Sequence, residues 1–76
     1  MDWRTHITID PAVCHGRACI KGTRIMVSVV LDNLAASQSP EAILRLYPTL
    51  RREDIFATMA YAAELARERV VLTSAA

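Results

Sequence analysis

The sequence predicts a mainly α protein in which a three-helix, helix-turn-helix core follows a short N-terminal β-arm. Three observations predict this class: an alternating segment near the start, a short helix bounded by prolines, and longer stretches with apolar residues every three or four positions. A short helix, a tight turn and a longer helix form the helix-turn-helix outline. We expect one domain over residues 1–76, with a β-arm and glycine-bearing loop at 5–24, a helical core at 25–70 and a tail at 71–76.

The β-arm is predicted from residues 5–10, which read T-H-I-T-I-D. This alternation places Ile7 and Ile9 on one face, as is typical of a short strand. Pro11 ends the pattern because proline has no N–H to donate to a sheet.

Residues 14–23 contain both glycines of the chain and are predicted to form a loop or a tight ribbon, with a second short strand at Cys19 and Ile20. Cys14, Cys19 and the nearby His15 raise the alternative of a redox or metal sensor. A closed zinc site needs four ligands, and this spacing matches no Cys-x2-Cys pattern. We therefore predict no metal and no cofactor, and expect reduced thiols.

The first helix is predicted over residues 25–36, where Val27, Val30, Leu31 and Leu34 recur at helical spacing. Its β-branched valines lower helix propensity, so packing must hold it. The second helix has clear local signals. Ser39 is a good N-cap and Pro40 suits the first helical position. The residue before Pro48 avoids helical geometry, which ends the helix after barely two turns.

The third helix is predicted over residues 50–70. Placed at 100° steps, its apolar arc is wide and half of it is alanine, which suits a helix packed on two neighbours. The expected inward stripe is Ile55, Met59, Ala62 and Ala66, with Phe56, Ala60 and Ala63 beside it. The expected outer face is Glu53, Asp54, Tyr61, Glu64 and Glu68.

Several short motifs stand in a specific order along the chain. They are Ile9-Asp10-Pro11, Cys14-His15-Gly16, Ile20-Lys21-Gly22-Thr23-Arg24-Ile25, Ser39-Pro40-Glu41, Tyr47-Pro48-Thr49-Leu50 and Glu53-Asp54-Ile55. In these motifs, over residues 7–63, the chain resembles the domain-of-unknown-function family 433, small prokaryotic proteins of which several are regarded as VapB-like antitoxins. The resemblance implies a homeodomain-like helix-turn-helix core, homodimeric assembly, and a role as antitoxin or DNA-binding regulator, often paired with a PIN-type toxin.

The sequence departs from the family pattern at two helix ends. Ser37 stands where the family usually has a glycine after the first helix, so a different turn or some backbone strain is expected. Arg51 stands where the family usually has a helix-capping threonine, so either Thr49 caps the third helix or its end frays.

Composition limits the function. A chain of 76 residues with 53% hydrophobic residues has little core of its own, so we expect apolar surface to be buried in a homodimer. The net charge of +1 does not mark a strong nucleic-acid binder. No apolar run long enough to span a bilayer is present and the N-terminus lacks a secretory signal, so a cytoplasmic protein without membrane contact is expected. No catalytic group of residues stands out, and we predict that the protein is not an enzyme.

The DNA-binding residues predicted from the sequence are Arg51, Arg52 and Thr58. Two cations in the first turn of a helix oppose its dipole, which a bound phosphate would relieve, and Thr58 would reach a base. The alternative is that Glu53 and Asp54 offset both arginines in solvent.

A second candidate surface is the loop motif, for which partner binding is one interpretation. Its residues are Arg17, Lys21, Gly22, Thr23 and Arg24. The structural alternative is that Gly22 supplies an unusual backbone angle, Thr23 bonds back to the turn, and Arg24 pairs with Asp10 or Glu41.

Apolar residues at both ends are predicted to contact the dimer partner or a toxin: Ile7, Ile9, Val70, Val71 and Leu72. Together these features favour an antitoxin-like protein that binds operator DNA and a PIN-type toxin. The alternative is a protein-interaction module that binds a partner protein and not DNA.

Overall fold

The computed structural model describes residues 1–68, and within them the chain is mainly helical with a small two-stranded sheet, as predicted. The elements are a 3-10 turn at Trp3–Thr5, β1 at Ile7–Thr8, a 3-10 turn at Cys14–Gly16, β2 at Cys19–Ile20, α1 at Val27–Ala35, α2 at Pro40–Leu46 and α3 at Arg52–Glu68. The predicted contact residues Val70, Val71 and Leu72 lie outside the described residues. No helix in the described part is both long and apolar enough to cross a bilayer.

The two strands form a tight antiparallel ribbon. Ile7 pairs with Ile20, and Thr8 pairs with Cys19. The ribbon continues into the next turn, where the Ile20 N–H donates to the carbonyl oxygen of Ile25 at 2.9 Å. The second short strand predicted at Cys19 and Ile20 is therefore present.

One hydrophobic core joins the ribbon to the helices. Its buried members are Ile7, Ile20, Val27, Val30, Ile43, Leu50, Ile55 and Ala57. The prediction of Ile7 as a dimer or toxin contact is wrong, because its side chain is only 4% exposed and packs in this core. Ile9 follows the end of β1 and is 55% exposed.

Helix α1 ends in a turn that normally requires glycine. Ser37 has φ = 69°, in the left-handed region. The Gln38 N–H donates to the Asn33 carbonyl oxygen and the Ser37 N–H to that of Leu34, both at 3.0 Å, which is the Schellman pattern. Ser37 therefore adopts the left-handed conformation that glycine usually takes in this motif, and the expected strain lies in the Ser37 backbone.

Helix α2 follows its local signals. The Ser39 hydroxyl oxygen accepts the Ala42 N–H at 3.1 Å, and Pro40 occupies the first helical position. The helix ends at Leu46, two residues before Pro48.

The inward face of α3 differs from the predicted stripe. Asp54, Ile55, Ala57 and Thr58 are buried, whereas Phe56 is 44% exposed. Met59, predicted to face inward, is 38% exposed. Asp54 and Thr58 can be buried on this face because both side chains have hydrogen-bond partners. A buried carboxylate or hydroxyl is tolerated under that condition.

The outer face predicted for α3 is also wrong at Tyr61 and Glu64. Trp3 packs edge-on against Tyr61 with ring centroids 4.8 Å apart, and its indole N–H donates to Glu64 Oε1 at 3.1 Å. The N-terminal arm therefore covers this side of α3, which the sequence pattern of the helix alone does not reveal.

Candidate functional site

A polar cleft of about 230 Å³ lies where the ribbon meets the beginning of α3. Its lining residues come from the arm before β1, the turn after β2, the α2–α3 connection and the first turn of α3. They are Thr5, His6, Lys21, Gly22, Thr23, Thr49, Arg51 and Asp54. Residues from three of the sequence motifs thus meet at one place.

Asp54 and His6 form a paired group in the cleft. His6 Nδ1 lies 3.0 Å from Asp54 Oδ1, and the two side chains are 18% and 8% exposed. Asp54 Oδ2 accepts the backbone N–H of Arg51 at 2.9 Å. A carboxylate three residues after the cap that reaches back to the cap N–H is one half of a capping box. The beginning of α3 is therefore capped by Asp54 and not, as predicted, by Thr49.

Lys21 and Arg51 supply positive charge to the cleft, and both residues are exposed. The Lys21 N–H donates to the His6 carbonyl oxygen at 2.8 Å, which ties the turn after β2 to the arm. Because ammonium and guanidinium groups donate hydrogen bonds without accepting any, the accessible part of the cleft suits an anion.

Gly22 and Thr23 shape the turn that carries Lys21. Gly22 has φ = +82°, and a Cβ atom there would meet nothing within 4 Å, so glycine serves the backbone angle and not the space. The Thr23 hydroxyl donates to the Ile20 carbonyl oxygen at 2.8 Å and accepts the Ile25 N–H at 3.0 Å. These contacts match the structural alternative for Gly22 and Thr23, while both residues also line the cleft.

Arg51 and Arg52 have different surroundings although they are adjacent. Arg52 is outside the cleft lining and its Nη2 atom lies 2.6 Å from Glu41 Oε2, with both side chains about half exposed. The Arg52 hydrogen bond is the main reason that the pKa of Glu41 falls below its usual value. Of the two arginines, only Arg51 reaches the candidate site.

Thr58, predicted to contact a base, cannot do so in this structure. Its side chain is fully buried, and its hydroxyl donates to the Ile55 carbonyl oxygen at 2.7 Å. The prediction failed because Thr58 lies on the inward face of α3.

The basic residues of the loop motif do not form one set. Lys21 lines the cleft, Arg24 lies on the other side of the Gly22-Thr23 turn with Thr8, and Arg17 borders a separate groove with Leu65. No ion pair within 4 Å joins Arg24 to any side chain described in residues 1–68, so its expected pairing with Asp10 or Glu41 is absent there.

The two cysteines are free thiols. Cys19 is fully buried, and burial together with a hydrogen bond to the Cys14 side chain raises the pKa of its thiol. Cys14 has φ = 52° and His15 φ = 55°, so two non-glycine residues adopt left-handed geometry in this turn. Within residues 1–68, no three His, Cys, Asp or Glu side chains are grouped to hold a metal ion.

Sequence reasoning did not place four of the cleft residues in a site: Thr5, His6, Thr49 and Asp54. The spacing of Asp54 from Arg51 carries a signal, because an acidic residue three positions after a helix cap commonly returns to it. His6 gives no comparable signal, since its partner lies 48 positions away.

Comparison with known proteins assigns the family. The family described as "Protein of unknown function (DUF433)" matches residues 7–62. The structure is similar to that of a DUF433 member protein from Anabaena variabilis ATCC 29413, with 32% sequence identity and a TM-score of 0.74. The match covers 82% of this chain and spans 61% of the Anabaena protein. No curated protein matches the chain. Because the family match covers most of the sequence, this protein belongs to the DUF433 family.

Proposed function

We propose that this protein is a non-enzymatic, antitoxin-like binding protein whose polar cleft receives a backbone phosphate of operator DNA. The observation that carries the proposal is the meeting of Lys21 and Arg51 in one cleft at the beginning of α3. Phosphate contacts position a protein on DNA, and basic side chains near a helix N-terminus are a common source of them.

The helical arrangement supports this interpretation. Helix α2 has seven residues and α3 has 17, with a short connection between them, so the pair has the proportions of a helix-turn-helix. In such a unit the N-terminal part of the second helix approaches the groove. The cleft lies at that end of α3.

The acidic residues limit the strength of binding. Arg52 is paired with Glu41, and Asp54 lies inside the cleft, so Lys21 and Arg51 are the basic side chains that would meet DNA there. One neutralised phosphate per subunit gives a slope of about −1 in log affinity against log salt concentration. We expect phosphate contacts to dominate and sequence preference to be modest.

The test is DNA binding by fluorescence anisotropy, with the protein's own promoter region and an unrelated duplex at several salt concentrations. Lys21→Gln with Arg51→Gln should weaken binding about tenfold or more and flatten the salt slope, because two ionic contacts are lost. Arg45→Gln is the matched control: Arg45 is exposed near the end of α2 and outside the cleft. The proposal fails if the wild-type protein shows no salt-sensitive binding at tens of micromolar.

The second candidate is a module that binds a partner protein, such as a PIN-type toxin, without contacting DNA. A groove of about 310 Å³ between α1 and α3 favours it. Its lining is largely apolar, with Leu31, Tyr61 and Leu65 beside Arg17, which suits an apolar side chain next to a carboxylate.

Co-expression with a PIN-like protein encoded next to this one would provide the discriminating experiment. Co-expression with that protein should give a complex that Leu65→Ser weakens, while Lys21→Gln with Arg51→Gln leaves it intact. If DNA binding is absent but this complex forms, the second candidate replaces the first.

A further inference from the structure

Three sulfur-containing side chains meet where the turn at Cys14–Gly16 packs against β2. Cys14 belongs to that turn, Cys19 belongs to β2, and Met26 immediately precedes α1. Cys19 and Met26 are partners in an antiparallel bridge. Residues paired in this way project to the same face, with Cβ atoms about 5 Å apart. The Cys14 side chain is hydrogen-bonded to that of Cys19, so Cys19 has a sulfur-containing neighbour from each of the other two segments.

Backbone carbonyl groups hold the two thiols in place. The Cys14 thiol donates to the Arg24 carbonyl oxygen at 3.4 Å, and the Cys19 thiol donates to that of Thr23 at 3.7 Å. These carbonyl groups are consecutive in the chain. Both thiols are therefore held against the same short segment between β2 and α1, and both are free to react.

A groove of about 270 Å³ gives solvent access to the sulfur atoms from one side. Its lining residues are Cys14, His15, Arg17 and Met26. Cys14 and Met26 are partly exposed, whereas Cys19 is fully buried. An ion that enters through the groove would exchange its water for sulfur ligands on the protein side.

The turn that carries Cys14 is strained. Cys14 and His15 have φ = 52° and 55°, and Gly16 follows with φ = 81°, so three consecutive residues adopt left-handed geometry. This geometry is unfavourable for residues with a Cβ atom and persists only where surrounding contacts impose it. Such strain is concentrated at functional sites. Here it accompanies the placement of Cys14 beside Cys19.

We propose that Cys14, Cys19 and Met26 bind one cuprous ion through two thiolate ligands and one thioether ligand. Soft thiolate and thioether ligands select Cu(I) among the biological metals. The thiols lose their protons as the ion binds, so one Cu⁺ replaces two H⁺. The prediction of no metal was argued for zinc, which takes four ligands in a closed site. It did not consider Met26, which lies outside the Cys-x4-Cys segment.

The charge around the site suits the bound form. Two thiolates and one cuprous ion leave one negative charge in a largely buried place. Burial and the Cys14 thiol raise the pKa of the Cys19 thiol, whereas the positive charge of Arg24 lowers it and that of Asp10 raises it. Arg24 is thus the nearby cation that stabilises the thiolate form, and Arg17 lines the groove. The proposal does not depend on DNA binding.

An anaerobic titration of the reduced full chain with Cu⁺ tests the site, with bathocuproine disulfonate as the competing chelator. The wild-type protein should withdraw one ion per chain from the chelator and develop the near-ultraviolet absorption of a copper–thiolate complex. An equal concentration of Zn²⁺ should not displace the ion, because the site lacks a fourth ligand.

Variants test each ligand class. Cys14→Ser should weaken Cu⁺ binding about hundredfold or more, because even an outer partner of a metal site is worth about 10- to 100-fold. Met26→Leu should weaken it about tenfold, since a thioether is a weaker ligand than a thiolate. Met59→Leu is the matched control, because Met59 lies on α3 and is 38% exposed, and it should bind as wild type does. Circular dichroism verifies folding, and partial exposure of Cys14 makes its variant the safer of the two cysteine changes.

Three outcomes would overturn the proposal. The first is a wild-type protein that takes no Cu⁺ from the chelator. The second is a ratio of half an ion per chain, which would mean that the ion bridges two chains. The third is a Cys14→Ser or Met26→Leu variant that is folded and binds Cu⁺ as tightly as the Met59→Leu control.

Discussion

Two polar attachments hold α3 to the N-terminal arm, and they differ more in burial than in length. Near the beginning of the helix, His6 and Asp54 are 3.0 Å apart and are 18% and 8% exposed. Near its end, Arg4 and Glu64 are 3.2 Å apart and are 63% and 29% exposed. Water and salt screen the second pair far more than the first. Hydrogen-bond length alone would rank the two attachments as nearly equal, whereas burial predicts that the first contributes much more.

The largest expected effect comes from removing Asp54. Asp54→Ala leaves the Arg51 N–H without its cap and His6 without its partner, so the free energy of unfolding should fall by about 2–3 kcal/mol. Urea unfolding followed by circular dichroism measures it. Asp32→Ala, at an exposed position on α1, is the control and should change stability by less than about 0.5 kcal/mol. An equally small change for Asp54→Ala would show that burial of this carboxylate does not matter.

Asp54 also shows where sequence reasoning stops. Helix α2 was predicted well because Ser39, Pro40 and Pro48 act locally, through a cap, a fixed backbone angle and a steric block. The inward face of α3 was predicted less well, because the burial of Asp54 depends on His6, which lies 48 positions away in the sequence. Helical periodicity alone predicts that a charged residue faces solvent. Its burial can be predicted only when the distant groups that hydrogen-bond to it are known.

The candidate site was predicted in pieces for the same reason. Lys21 and Arg51 were each identified as basic residues in a motif, but the pairing of β1 with β2 and the packing of the arm on α3 bring them together. Arg52 was indistinguishable from Arg51 in the sequence, and only the position of Glu41 separates the two.

Trp3 contacts the same Glu64 carboxylate as Arg4 and so belongs to the second attachment, and its removal should have a smaller effect than removal of Asp54. Trp3→Ala removes the edge-on contact with Tyr61 and the hydrogen bond to Glu64, and we expect a loss of about 1–2 kcal/mol in the free energy of unfolding. Trp3→Phe keeps a ring against Tyr61 and should recover more than half of that loss. If Trp3→Ala destabilises more than Asp54→Ala, apolar packing of the arm outweighs the buried polar pair, and the ranking by polar burial is wrong.

A change of opposite sign is expected at the turn after α1, far from both attachments. Ser37→Gly removes the cost of left-handed geometry at φ = 69°, which should raise stability by about 0.5–1 kcal/mol. Ser28→Gly is the matched control, because Ser28 lies in the first turn of α1 with ordinary helical geometry, and glycine there should lower stability by up to about 0.5 kcal/mol. Thermal unfolding of both variants measures the difference. A loss of stability in Ser37→Gly would mean that the serine side chain stabilises the turn by more than its backbone strain costs.

The smallest effect is expected for the pair of Glu41 and Arg52, which lies outside the arm and in which both side chains are about half exposed. Because the pKa of Glu41 is lowered in the folded protein, chiefly by the Arg52 hydrogen bond, its contribution to stability is present above the unfolded pKa. That contribution is lost as the pH falls through the folded pKa. The coupling between Glu41→Gln and Arg52→Gln in a double-mutant cycle should therefore be small at pH 7, smaller still in high salt, and absent in acid below the folded pKa. A coupling that persists unchanged in acid would show that the two side chains interact through packing or neutral hydrogen bonds and not as an ion pair.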